Sequence, residues 1–179
     1  MSKIKVNELN FELILNSNQI QVKVKEIAAK LEKTLSQKDD ITSLVIMDGA
    51  FMFASDLLRN TNLEMNPHFI TIKSYIGENQ SSKIYIDQIS TELVFNKTIV
   101  IIEDIIDSGN SMLELCKKLK DLSVKEIYIV AFIIKDLQIG DKINVDFYGF
   151  NVGPEFIIGY GMDYNGCGRG LDCIYQKII

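Results

Sequence analysis

The chain has 179 residues, 47% hydrophobic and 24% charged, with a net charge of −5. That composition can fill the core of one domain and excludes a disordered chain, a collagen and a small disulfide scaffold. The mildly acidic balance, with no basic stripe, argues against a nucleic-acid partner, and no apolar run approaches the ~18 residues that cross a bilayer.

Short β-rich runs alternate with helical patterns along the chain. Phe11–Leu15 reads as a strand, after which Ser17 or Asn18 caps a helix to about Leu35. Ile20, Val24, Ile27, Ala28 and Leu31 share one face of it. Ser43–Met47 is an apolar run of strand length, and Ala50–Arg59 reads as a helix. His68, the only histidine, precedes a strand at Phe69–Lys73 and reads as a structural strand-edge residue. With one histidine, a His-rich zinc site is excluded. Gly77–Lys83 is a polar segment. Thr98–Ile102 is an apolar strand, Ser111–Lys120 a helix and Ile127–Ile134 another apolar strand. Phe147–Phe150 and Phe156–Ile158 are shorter strands. Cys116, Cys167 and Cys173 are odd in number, form no CxxC and read as reduced thiols. The N-terminus lacks an apolar stretch of signal-peptide length, so the expected location is the cytoplasm, with no membrane partner.

Continuous Ile/Val runs separated by helices imply strands buried on both faces. The expected fold is α/β, one domain over residues 1–179, with a mainly parallel sheet flanked by helices. Ligands of such folds bind at the carboxyl ends of the strands. After Thr98–Ile102 come Glu103-Asp104, Ile105-Ile106, then Asp107-Ser108-Gly109-Asn110-Ser111 and a helix. Adjacent carboxylates accept hydrogen bonds from vicinal sugar hydroxyls. The helix start offers free N–H groups and its dipole to a phosphate. Gly109 permits close backbone approach, and Ser108 and Ser111 add hydroxyl donors. A pentose 5-phosphate fits this arrangement. The string is not a Walker A loop, since it lacks the Gly-Lys-Ser/Thr ending.

These residues resemble the purine phosphoribosyltransferases, and more narrowly the bacterial hypoxanthine phosphoribosyltransferases. Val100–Met112 is similar to that family's signature for phosphoribosyl diphosphate (PRPP), and Met47–Arg59 to its first active-site loop and following helix. Ser74-Tyr75 matches the dipeptide of its mobile catalytic loop. Phe156–Tyr164 and Arg169–Leu171 match its C-terminal purine-binding segment. The four blocks keep the family's order over about residues 43–175.

The resemblance implies the type I phosphoribosyltransferase fold, with a core at about 18–150 and a small hood from about 1–17 and 151–179. It implies that Glu103 and Asp104 hold the ribose hydroxyls, that Asp107 is the general base, and that Ser108, Gly109, Asn110 and Ser111 cradle the 5-phosphate. Asp48 and Gly49 would face the pyrophosphate through backbone N–H groups, and Arg169 would clamp it bidentately. Lys135 would donate to the 6-oxo group, Phe156 would stack on the purine, and the Ile157 backbone would read its edge. Asp163 would lie near the base and hold Mg²⁺, with Glu103 and Asp104 as further metal ligands. Gly77–Lys83, after Ser74 and Tyr75, would be a closing lid. Asn165–Gly168 reads as small and flexible. The implied activity is transfer of phosphoribose from PRPP to hypoxanthine, with guanine as a second 6-oxopurine substrate, in purine salvage. A xanthine-preferring enzyme and a catalytically silent PRPP sensor on the same fold stay open. A homodimer or homotetramer is implied without a choice between them.

Overall fold

A computed structural model describes residues 2–76, 82–135, 139 and 142–178, giving backbone alone at 74–76, 82 and 83. Among the described residues the strands are β1 (Lys3–Val6), β2 (Leu9–Leu15), β3 (Ile41–Met47), β4 (Asn66–Ile76), β5 (Ser82–Ile86), β6 (Thr98–Ile106), β7 (Glu126–Ile134), β8 (Phe147–Asn151), β9 (Ile157–Ile158) and β10 (Ile174–Lys177). The helices are α1 (Ser17–Leu35), α2 (Phe51–Arg59), α3 (Thr91–Val94) and α4 (Asn110–Asp121).

Six strands form one sheet in the order β5-β4-β3-β6-β7-β8. All neighbours are parallel except β4 and β5. The central strands β3, β6 and β7 are apolar on both faces because both faces are covered. Val45, Val100 and Ile102 pack towards α1 and α2, whereas Leu44, Ile99 and Ile101 pack towards α3 and α4. The strand order reverses between β3 and β6: from β3 the chain goes to β4 on one side, and from β6 to β7 on the other. A crevice opens at the carboxyl ends of such a pair.

A second, antiparallel sheet, β1-β2-β10-β9, brings both ends of the chain together. Leu15, Ile157 and Ile174 join it to the α1–α2 core. The sequence did not signal β1 or β10, whose four-residue runs are too short and too polar for periodicity to show.

Two expected boundaries move in ways that matter. The cap of α1 is Asn16, not Ser17 or Asn18. Its Oδ1 accepts the Gln19 N–H at 2.9 Å while Gln19 Oε1 accepts the Asn16 N–H at 3.0 Å, a reciprocal capping box. Strand β6 does not stop at Ile102. Its ladder with β7 runs on to Ile106↔Ile134, so Glu103 and Asp104 lie inside the strand. His68, expected just before its strand, lies within β4 and pairs with Leu44 of β3.

Candidate active site

Glu103 and Asp104 lie in the second half of β6, and each is only 8% exposed. Burial pushes the Glu103 carboxyl well above the ordinary carboxylate range, and the neighbouring Asp104 charge pushes it further. Burial also raises Asp104, against the pull of its hydrogen bonds and of the Arg169 charge. Glu103 Oε1 accepts the Asp104 N–H at 3.2 Å. Gly49, just after β3, is dictated by this pair. A Cβ there would lie 1.9 Å from Asp104 Oδ2.

The pair forms the floor of a cavity of about 490 Å³. One wall is Asp107, Ser108, Gly109, Asn110 and Ser111, where β6 turns into α4. Gly109 caps the helix in the left-handed region (φ 74°), and no side chain caps its N–H groups. That start has the geometry of an anion cradle. Behind it, Lys142 Nζ donates to the Ser108 carbonyl at 3.3 Å.

Lys135, Phe156 and Ile157 line the adjoining wall. Lys135 directly follows β7, and its N–H donates to Ile106 O at 3.0 Å. Its side chain is buried, with Nζ 3.4 Å from both Asp107 Oδ2 and Pro154 O. Asp107 itself is half exposed. One side of the cavity therefore offers a cation and a carboxylate within 3.4 Å of each other. The Phe156 ring meets Tyr164 edge-on at 5.9 Å, and the Tyr164 hydroxyl donates to Glu8 of the β1–β2 turn.

Asp163 and Arg169 close the third side. Arg169 Nη2 lies 2.9 Å from Asp163 Oδ1 and 3.7 Å from Asp48 Oδ2, and Nη1 donates to Gly161 O at 2.8 Å. Asp163 Oδ2 also accepts the Gly166 N–H at 2.7 Å. Asp48 is 74% exposed and does not line the cavity. Its neighbours Met47 and Gly49 both line it.

Asn165–Gly168, expected to be flexible, instead contains a closed turn. Tyr164 and Cys167 exchange backbone hydrogen bonds of 2.8 and 3.0 Å around Asn165 and Gly166, both at positive φ. This is a type I′ hairpin, and the Asn-Gly dipeptide was its signal. Gly159 and Met162 form a second such turn around Tyr160 and Gly161. A Cβ on Gly161 would come within 2.0 Å of Gly49 O, so this turn seats directly on the loop after β3.

Of the other expected site residues, Ser74 and Tyr75 fall on β4, where only backbone is described. The expected lid, Gly77–Lys83, lies for residues 77–81 outside the described residues. Sequence reasoning missed the apolar lining at Ile72, Met112 and Met162, which has no pattern distinct from core. Among the described residues no helix is long and apolar enough to cross a membrane.

A doubly wound α/β sheet with a polar cleft at its switch point defines the general class. The phosphoribosyl transferase domain profile matches residues 11–165. The chain belongs to the phosphoribosyl transferase family and is accordingly a pentosyl-transferring enzyme. It is 31% identical to the hypoxanthine phosphoribosyltransferase of Buchnera aphidicola over 94% of this chain and 96% of that one. Identity to the hypoxanthine-guanine phosphoribosyltransferase of Aquifex aeolicus is 30%, over 92% and 93% of the two chains. A crystal structure of a hypoxanthine phosphoribosyltransferase from Staphylococcus aureus superposes with a TM-score of 0.85 at 29% identity, covering 93% of this chain and 91% of that one.

Proposed function

We propose that this enzyme joins a 6-oxopurine, hypoxanthine and also guanine, to PRPP, releasing the nucleotide and pyrophosphate. The carrying observation is the single cavity in which a buried carboxylate pair, an uncapped helix start and the Lys135–Asp107 pair face one another. Glu103 and Asp104 take the ribose hydroxyls, and residues 108–111 take the 5-phosphate. The purine O6 and N7 are neighbouring atoms on one edge. A cation and a carboxylate 3.4 Å apart suit that edge, Lys135 donating to O6 and Asp107 accepting the N7 proton. The purine N9 then bonds to C1′ as the bond from C1′ to the pyrophosphate oxygen breaks. Positive charge developing on the ribose is stabilised by the fixed carboxylates below it. Phe156 stacks on the base, the Ile157 backbone reads its edge, and Arg169 with the Gly49 backbone receives the pyrophosphate.

The donor set suits Mg²⁺. It is all oxygen, and among the described residues no three His, Cys, Asp or Glu side chains cluster, so the protein would supply only one or two ligands to each ion. Mg²⁺ takes one or two carboxylates and completes its shell with substrate oxygens and water. Glu103 and Asp104 would hold it on the ribose side and Asp163 on the pyrophosphate side, where it would offset the charge of the leaving group. A homo-oligomer is proposed through the exposed part of α2, where Phe51 faces solvent.

The test is an ultraviolet assay with Mg²⁺, PRPP and one of hypoxanthine, guanine, xanthine or adenine. Turnover of hypoxanthine or guanine with adenine inert is expected, because a buried Lys135 ammonium facing a 6-amino donor finds no acceptor on the base. Turnover of adenine, or of no base while PRPP still binds, overturns the reading.

A further inference from the structure

The turn that carries Gly161 is tied to the rest of the molecule by one side-chain hydrogen bond that reaches no part of the cavity. Tyr160 is 2% exposed, and its hydroxyl donates to Asp56 Oδ2 on α2 at 2.8 Å. The same oxygen accepts Gln21 Nε2 of α1 at 2.7 Å. The Tyr160 ring is held independently, 4.9 Å from Phe132, which in turn lies 5.1 Å from Phe53. Burial, and then the Asp56 carboxylate, push the hydroxyl far above its ordinary range, so it stays a donor at every working pH.

What this bond holds is the seam between two loops. Helix α2 begins immediately after the Asp48–Gly49 loop. The next residue after Tyr160 is Gly161, whose Cα seats against Gly49 O and whose carbonyl accepts Arg169 Nη1. Arg169 then pairs with Asp163. Asp56 and Tyr160 therefore link the element behind Gly49 to the turn that supports Arg169. Neither residue lines the cavity. Lys135, Asp107 and Phe156 are carried by β7, the β6 end and the segment before β9, to which the bond makes no direct link.

We infer that Tyr160 and Asp56 are positioning residues for the pyrophosphate end of the site: their hydrogen bond sets the spacing between the Gly49 backbone and the Arg169–Asp163 pair, and so tunes affinity for PRPP and pyrophosphate without touching the purine end. The inference rests on the proposed function, because only that reading gives the two ends different substrates.

Tyr160→Phe removes one oxygen and keeps the ring packing. The expected result is a rise of about tenfold in the KM for PRPP, comparable to losing one charge-assisted hydrogen bond. The KM for the purine and kcat should stay within about twofold. Asp56→Ala should reproduce the shift. Asp56→Asn keeps an acceptor for both Tyr160 and Gln21 and should restore the PRPP KM to near wild type. Equal change in both KM values, or no rescue by Asn, makes the bond merely structural and overturns the inference. Calorimetric titration of Mg²⁺-PRPP into wild type and Tyr160→Phe reads the same spacing without turnover. A wild type that binds PRPP but converts no base overturns the proposed activity alone, and the affinity shift still decides the role of the Tyr160–Asp56 bond. A wild type that does not bind PRPP overturns both.

Discussion

Glu103→Gln should make the free protein more stable and a worse PRPP binder. The wild-type side chain is 8% exposed, sits beside a second carboxylate and has no described cation in salt-bridge reach. Gln is nearly isosteric and can still accept the Asp104 N–H, so the substitution removes a buried charge and little else. Relief of an uncompensated buried charge is worth about 1–2 kcal/mol here, within the range seen when buried ions are neutralised. For a domain of this size that raises Tm by about 2–8 °C. The pH dependence follows from the raised carboxyl. Between the ordinary value of 4.5 and the higher native value, the folded state holds a proton that the unfolded state has lost. Stability of the wild type therefore falls as pH rises through that window, and the variant is spared the fall. Thermal unfolding of both proteins, repeated from pH 4 to pH 8, should show curves that coincide near pH 4 and separate as pH rises. The same variant should lose about tenfold in PRPP affinity, since a neutral amide bonds a hydroxyl more weakly than a carboxylate does. Equal Tm at pH 8, or a gap of the same size at pH 4, refutes the account of Glu103 as a strained, functional charge.

Asp107→Asn should lower kcat by roughly a hundredfold or more, with the PRPP KM within about twofold, because the lost group acts on the purine proton; steady-state kinetics showing equal losses would count against a general base. Lys135→Met keeps the buried stem and removes the donor, so the ratio of kcat/KM for hypoxanthine over adenine should fall by roughly a hundredfold; an unchanged ratio removes Lys135 from base selection. Gly161→Ala meets Gly49 O at 2.0 Å as well as a positive φ, whereas Gly166→Ala has positive φ and open space. Denaturant unfolding should give a loss of about 1 kcal/mol for Gly166→Ala and at least twice that for Gly161→Ala; equal losses would mean that the contact with Gly49 is not tight.

How much of this was legible in the sequence depended on whether the cause was local. The apolar runs of β3, β6 and β7 announced a sheet covered on both faces, and the Asp107–Ser111 string announced a helix start fit for an anion. Both follow from residues adjacent in the chain. The burial of Glu103 and Asp104 did not, because two acids in a strand read as its solvated end unless the partner ladder is known. Register with β7 through Ile106 decides it. The antiparallel sheet pairs residues 3–15 with residues 157–177, and no periodicity within either segment could reveal that. The turn at Asn165-Gly166 was the opposite case, an announced hairpin passed over because small residues suggested looseness.

The glycines carry the long-range part of the argument. A glycine in a sequence signals freedom, yet Gly49 and Gly161 are there because the space is taken. One makes room for the Asp104 carboxylate and the other for the Gly49 carbonyl. These two contacts stack three segments in order: β6 with its acid pair, the loop after β3, and the C-terminal turn below Arg169. That stacking explains how the proposed sites for a sugar, a pyrophosphate and a base, on residues spread from 49 to 169, share one cavity. It also gives the reason why a hydroxyl behind the stack, that of Tyr160, is proposed to act on only one of the three.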